Sequence, residues 1–138
     1  MISKCNKATK NNIISVSENR RKFIILNNSK FLVNEVKVDG CYILTGAKCD
    51  FLFEIINSKL EEVFYVELKG SDIPHAVEQL EATILKCLSI HKDISRKCFI
   101  VASKFPKSGT SSQVMKKKFL SKNKIQLLID TNIKEIKI

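Results

Sequence analysis

The chain has 138 residues, of which 44% are hydrophobic and 28% charged, and its formal net charge at pH 7 is +10. This length is typical of one domain, which we expect to span residues 1–138. No apolar run approaches the roughly 20 residues of a membrane span and the N-terminal stretch is polar, so we expect a cytoplasmic protein without a membrane partner.

The cysteine pattern adds to that expectation. The five cysteines form no CxxC pair and no even-numbered set, and a cytoplasmic protein keeps its thiols reduced. We therefore expect five reduced thiols, at Cys5, Cys41, Cys49, Cys87 and Cys98.

The first half of the chain is predicted to be rich in strands. Residues 1–11 are polar and are expected to be flexible. Apolar, β-branched and aromatic runs separated by turn residues such as Asp39-Gly40 are typical of antiparallel strands. These runs predict strands over residues 12–17, 22–26, 30–38 and 41–44, and a hairpin formed by 51–56 and 63–69.

The second half is predicted to alternate helices with strands. Asp72 can cap a helix whose first turn contains Pro74, and apolar residues recur at helical spacing until about His91, which we expect to be only helix-terminal. A helix between two apolar strands implies a parallel pair joined by a right-handed crossover. The later elements are a strand over 97–102, a helix from 111 or 112 to 120, and strands over 125–129 and 133–138. The sequence thus predicts an α/β fold with a mixed sheet, a crossover helix and flanking helices.

Two acids and a lysine stand at the ends of the predicted hairpin. Asp50 begins the run CDFLFEII, and Glu67-Leu68-Lys69 ends the run EVFYVELKG. Glu67 and Lys69 share a face because side chains alternate along a strand. A two-residue loop places Asp50 opposite Glu67, a four-residue loop places it opposite Lys69, and cross-strand partners lie about 5 Å apart. An even loop therefore gathers all three side chains, whereas an odd loop without a bulge separates them.

This arrangement suits a divalent cation. Mg²⁺ prefers oxygen ligands and keeps several waters, so Asp50, Glu67 and the backbone carbonyl of Leu68 are candidate ligands for Mg²⁺ or Mn²⁺. The metal would polarise a phosphodiester and lower the pKa of a bound water, and Lys69 would stabilise the developing charge or orient the nucleophile. Alternating charges on a solvent-exposed strand produce the same Glu-x-Lys string. The residues between Val63 and Val66, however, are apolar on both faces, as in a buried central strand, where Glu and Lys are rare unless paired or ligating.

Asp50, Glu67 and Lys69 resemble the Asp…Glu-x-Lys motif of the PD-(D/E)XK nuclease superfamily, which includes restriction endonucleases and archaeal Holliday-junction resolvases. The resemblance covers residues 46–88: an acid at a strand start, a strand, a turn, a strand with Glu-x-Lys, and a helix. Cys49 stands where the motif has its proline. The resemblance implies a restriction-endonuclease-like core and catalytic roles for the three residues.

The resemblance also points to residues outside the hairpin. Some members use a glutamine on the following helix, and Gln79 is placed either to reach the site or to face water. Many members use an acid from an N-terminal helix. Glu18 and Glu35 are the candidates in this chain, and neither lies on a predicted helix.

The positive charge is unevenly distributed. Residues 51–91, which contain the candidate site, carry three Lys/Arg and seven acids, whereas residues 92–124 carry ten Lys/Arg and one acid. Such basic segments either bind a polyanion or only keep a surface soluble. The candidate phosphate contacts are Lys104 and Lys107, which follow a strand's carboxyl end, and Lys116, Lys117 and Lys118 on the second helix, which cannot all face one ligand.

Together these features predict a metal-dependent endonuclease that hydrolyses DNA phosphodiesters, with double-stranded DNA as partner and a role in restriction, phage defence or junction processing. The resemblance implies that the chain works as a homodimer or within a larger complex. The alternative is a catalytically inactive module on the same fold that binds nucleic acid or a partner protein. The residues do not distinguish DNA from RNA.

Overall fold

The structure is a computed structural model that describes residues 4–69, 71–104 and 110–138, without the side chains of residues 69, 110 and 111. In chain order, its elements are β1 (Asn6–Thr9), β2 (Ile13–Glu18), β3 (Arg21–Leu26), β4 (Leu32–Lys37), β5 (Phe51–Asn57), β6 (Lys59–Lys69), α1 (Ile73–Lys86), α2 (Leu88–His91), β7 (Ser95–Ala102), α3 (Thr110–Asn123), β8 (Gln126–Thr131) and β9 (Ile133–Lys137). This order confirms the predicted α/β fold.

The larger sheet is mixed, as predicted. Within the described residues it has six strands in the order β1-β4-β5-β6-β7-β8. The pairs from β1 to β6 are antiparallel, and β6, β7 and β8 are parallel to one another. Since α1 connects β6 to β7, the predicted crossover over a parallel pair is confirmed.

A second sheet covers one face of the first. It pairs β2 with β3 antiparallel and β3 with β9 parallel, so the C-terminal strand extends this sheet rather than the edge of the larger one. Phe23 of β3 packs against Phe53, Phe64 and Phe99 of the larger sheet, with ring centroids 4.8 to 6.4 Å apart. Buried residues of α1 and α3 share a separate core on the opposite face. The predicted flanking helices therefore lie on one side only, and the other side is a β layer.

Within the N-terminal segment, for which the sequence predicted flexibility over residues 1–11, Asn6–Thr9 form a strand. β1 pairs with β4, and a disulfide joins Cys5 to Cys41. The expectation of five reduced thiols is therefore wrong for this pair. Cys49, Cys87 and Cys98 are free and buried, and burial raises the pKa of the Cys87 thiol to about 11.

Two local elements also differ from the prediction. Residues 41–44 form no strand, and only an isolated bridge joins Asp39 to Ile43. The helix expected to continue to His91 ends at Lys86, and the short α2 follows Cys87. In the described part of the chain, no helix combines the length and apolar character needed to cross a membrane.

His91 is fully buried rather than merely helix-terminal, and it bridges two strands. Its Nδ1 lies 2.6 Å from the Tyr65 hydroxyl and its Nε2 lies 2.7 Å from Glu54 Oε2. Asn34 donates to the other Glu54 oxygen at 2.8 Å. The network thus joins α2 to the middle of β4, β5 and β6.

Candidate functional site

The pairing of β5 with β6 brings Asp50 opposite Glu67. Phe51 pairs with Val66, so the preceding residue, Asp50, comes opposite Glu67 where β5 begins. The turn is not even: Asn57 pairs with Lys59 around Ser58, whose φ is 67°. A bulge after Ile55 then places one extra residue on β6 and restores the register. An odd turn with a bulge thus gives the arrangement predicted for a two-residue loop.

The two carboxyl groups are in contact inside the fold. Glu67 is only 2% exposed, and its side chain lies close enough to the Asp50 carboxyl to affect its pKa. Asp50 Oδ2 also accepts the Leu68 N–H at 2.8 Å. Two ionised carboxylates offer only hydrogen-bond acceptors. A shared proton or a bound cation would therefore stabilise two carboxyl groups this close together.

The surroundings of Asp50 disfavour the ionised form of its carboxyl group. Burial raises the pKa of the Asp50 carboxyl, and the negative charges of Glu18 and Asp39 raise it further. The Leu68 N–H and the Glu67 side chain lower it, without cancelling the increase. A bound divalent cation would reverse this balance, because it favours the ionised form of its ligands.

The backbone of β6 presents a carbonyl oxygen on the side where Asp50 lies. The N–H and C=O of one strand residue point toward the same neighbouring strand. Since the Leu68 N–H donates to Asp50, the Leu68 carbonyl also points to the side where β5 begins. Lys69 is the last residue of β6, and its backbone pairs with Ala102; its side chain lies outside the described part of the chain.

Helix α1 contacts the segment that leads into Asp50. Gln79 is half-buried and its Nε2 donates to the Lys48 carbonyl at 3.1 Å, so it reaches the site segment rather than water. Thr83 is fully buried, and its Oγ1 accepts the Cys49 N–H at 2.8 Å. Thr83 was not identified from the sequence as a residue that contacts this segment. The one signal in the sequence was a hydroxyl within the apolar stripe of the helix.

A cleft of about 370 Å³ opens beside Asp50. Its lining residues are Ser17, Glu18, Lys37, Asp39, Asp50 and Phe51. Glu18 therefore borders the candidate site from the end of β2. Glu35 does not line the cleft; it lies opposite Lys7 on β1, and burial raises the pKa of its carboxyl. Among the described side chains, no three His, Cys, Asp or Glu residues are arranged to hold a metal ion.

The candidate phosphate-binding lysines lie in different places. Lys104 is exposed just beyond the carboxyl end of β7, at the end of the sheet where β6 also ends. Lys107 lies outside the described residues. On α3, Lys116 is half-buried and Lys117 exposed, whereas Lys118 lines a groove between α3 and α1. Among these lysines, and within the part of the chain that the structure describes, Lys104 is the one that follows a strand at the end of the sheet where Glu67 lies.

No protein-family model, curated protein or solved structure matches this chain. Function is therefore inferred from the residues themselves: a buried Glu67 beside a half-buried Asp50, the Leu68 carbonyl next to them, and an exposed lysine at the same end of the sheet.

Proposed function

We propose that the chain is a metal-dependent nuclease of the PD-(D/E)XK type that hydrolyses phosphodiester bonds in DNA, with Asp50 and Glu67 as cation ligands. The observation that carries this proposal is the contact between these two carboxyl groups, one of them 2% exposed. Acids are seldom buried together unless a proton or a metal compensates their charge. The site also lies at the carboxyl ends of parallel strands, where α/β sheets commonly bind ligands.

Each residue has a distinct role in this proposal. Asp50, Glu67 and the Leu68 carbonyl offer three oxygens, which suits Mg²⁺ or Mn²⁺ with water in the remaining positions. A bound cation supplies Lewis acidity and lowers the pKa of a water ligand. Lys69, two residues after Glu67 on the same strand, carries a positive charge that stabilises the charge developing on the phosphate.

The substrate class follows from charge. The net charge of +10 and the basic segment 92–124 favour a polyanion, and Lys104 provides a positive charge at the end of the sheet where Glu67 lies. Lys104, Lys107 and the lysines of α3 are proposed to contact phosphates. Such contacts position a nucleic acid without selecting its sequence. A homodimer, or incorporation into a larger complex, would supply the second site needed for double-strand cleavage.

The test is cleavage of plasmid DNA, linear DNA and RNA with Mg²⁺ or Mn²⁺, with and without a chelator. The wild-type protein is expected to cut DNA only with a cation. The variants Asp50→Asn, Glu67→Gln and Lys69→Ala are each expected to reduce cutting at least a hundredfold, because the first two remove a ligand of the cation and the third removes the charge that acts on the reacting phosphate. Glu78→Gln, which changes an exposed acid on α1, is the matched control. Cutting that survives Lys69→Ala would contradict the proposal.

The second candidate function is a nucleic-acid-binding or partner-binding module that does not cleave. The observation in its favour is the lack of a third suitably placed acid among the described residues. Such a module would bind DNA equally well with or without a cation, and Asp50→Asn would leave binding unchanged. A binding assay run beside the cleavage assay separates the two functions.

A further inference from the structure

One face of α1 carries side chains that hold the segment before Asp50. Gln79, Thr83 and Lys86 recur at positions i, i+4 and i+7, so they lie along one side of the helix. Lys86 Nζ donates to the carbonyls of Thr45 and Ala47 at 3.1 and 3.2 Å. The three side chains therefore contact successive parts of residues 45–49.

Thr83 makes the innermost of these contacts. Its hydroxyl accepts the Cys49 N–H at 2.8 Å and donates to the Gln79 carbonyl at 3.0 Å, and the side chain is 0% exposed. Both functions of the hydroxyl are thus used, which fixes its orientation. Beside it, the Gln79 amide donates to the Lys48 carbonyl. Together the two residues satisfy both polar groups of the Lys48–Cys49 peptide bond.

This peptide bond determines where Asp50 lies. From the other side, the Asp50 carbonyl accepts the Val38 N–H at 2.9 Å, and its carboxylate accepts the Leu68 N–H. Without Thr83, the Cys49 N–H would be buried with no acceptor. The backbone would shift to restore a partner, and the Asp50 carboxylate would shift with it.

We propose that Thr83 is a positioning residue that directs the Asp50 carboxylate at Leu68 and Glu67, with Gln79 acting beside it. The effect on the Asp50 carboxyl follows from these contacts alone, and the effect on cation binding rests on the proposed function. Residues that orient a metal ligand typically change metal affinity by about 10–100-fold when they are removed.

The experiment compares Thr83→Val, which keeps the shape and removes the hydroxyl, with Thr83→Ser, which keeps the hydroxyl. Thr9→Val is the matched control. Thr9 is the last residue of β1, and its hydroxyl also accepts a backbone N–H, that of Asn11, at 3.1 Å. The first readout is the Leu68 amide by NMR without metal, because its chemical shift and its exchange with solvent report the bond to the Asp50 carboxylate. The second is Mn²⁺ affinity by calorimetry.

In Thr83→Val, the Leu68 amide signal is expected to shift and its exchange with solvent to become faster, because the displaced Asp50 carboxylate binds the Leu68 N–H less well. Mn²⁺ affinity is expected to fall by about tenfold or more. Thr83→Ser and Thr9→Val are expected to match the wild type in both measurements. If Thr83→Val does not fold, Gln79→Leu tests the same peptide bond through the Lys48 carbonyl.

An unchanged Leu68 amide in the Thr83→Val protein, or in Gln79→Leu where that variant replaces it, would overturn the inference. A changed Leu68 amide with unchanged Mn²⁺ affinity would overturn its extension to cation binding. A wild-type protein without Mn²⁺ affinity would contradict the proposed function, and the Leu68 amide would still decide the role of Thr83.

Discussion

At the scale of single residues, Asp50 lies in a position that disfavours its own charge. Its pKa is raised above the ordinary value of 3.8, first by burial and then by Glu18 and Asp39. The folded chain therefore binds this proton more tightly than the unfolded chain does. The free energy of unfolding falls as pH rises from the ordinary pKa to the raised one, so ionised Asp50 destabilises the fold at neutral pH.

It follows that Asp50→Asn stabilises the protein in the absence of metal. The amide keeps an acceptor for the Leu68 N–H and removes the charge, so we expect the midpoint of thermal unfolding to rise by about 2–5 °C. With Mn²⁺ the order is expected to reverse, because only the wild type gains stability from the bound ion. Thermal unfolding with and without Mn²⁺ measures both effects, and a variant less stable than the wild type without metal would contradict this account of Asp50.

The same raised pKa predicts how cation binding depends on pH. A carboxylate must lose its proton to bind a metal. Mn²⁺ affinity should therefore fall about tenfold per pH unit once the pH drops below the pKa of Asp50, and the fall should begin at a higher pH than for an ordinary aspartate. Calorimetry over a pH series measures this, and an affinity that stays constant down to about pH 4 would be inconsistent with Asp50 as a ligand.

At the scale of secondary-structure elements, a buried polar network joins α2 to the centre of the larger sheet. Burial raises the pKa of Glu54, but hydrogen bonds from His91 and Asn34 outweigh it and leave that pKa below its usual value. Burial keeps the Tyr65 hydroxyl protonated by raising its pKa. His91 therefore joins a neutral hydroxyl at Nδ1 to a carboxylate at Nε2.

Replacing His91 should consequently destabilise the fold far more than replacing the other histidine. His91→Ala removes one of the two side chains that hydrogen-bond the Glu54 carboxylate and leaves only Asn34, which we expect to cost about 3 kcal/mol. His75 is exposed on α1, and His75→Ala should change the free energy of unfolding by less than about 0.5 kcal/mol. Urea unfolding compares the two, and equal effects would show that the network contributes little.

The elements predicted correctly are those that leave a pattern in a short stretch of sequence. The apolar strands around Asp50 and Glu67, the Asp72 cap and the helical spacing of α1 are all visible in the sequence, and the parallel crossover follows from them. The sequence offered no such signal for β1, whose residues Asn6–Thr9 are mostly polar and pair with β4 far along the chain. Long-range pairing of this kind leaves no periodic pattern.

The candidate site shows the same division. The alternation of side chains along β6 predicted that Glu67 and Lys69 lie on the same side of the strand. The register of Asp50, in contrast, is set by the turn at Ser58 and by the bulge, and both depend on backbone conformation. Thr83 could not be assigned because its partner is a backbone N–H on a distant loop. The buried polar network has a clearer signal in the sequence, because Glu54 stands within the apolar run FLFEII and a buried carboxylate requires a partner.

At the scale of the whole molecule, a disulfide ties the N-terminal segment to the loop that precedes the site. Cys5 and Cys41 are 36 residues apart in sequence, so their bond closes a long loop in the unfolded chain. Breaking a bond of this kind typically costs about 2–4 kcal/mol, because the unfolded chain gains freedom.

We therefore expect reduction of the wild type to lower its thermal midpoint to that of the variant carrying both Cys5→Ser and Cys41→Ser. The double variant should not respond to the reductant, which serves as the control. Titration of thiols in the denatured, unreduced wild type should find three free groups, those of Cys49, Cys87 and Cys98. Five free thiols in that titration would show that the bond does not form in the isolated protein.

The central claim is that Asp50 and Glu67 together hold a divalent cation. Crystals of the wild-type protein grown or soaked with Mn²⁺, and measured for anomalous scattering, test it most directly. We predict one anomalous peak within coordination distance of a carboxylate oxygen of each residue, and no peak at that position in Asp50→Asn crystals. A wild-type map in millimolar Mn²⁺ with no peak between these two carboxylates would contradict the claim.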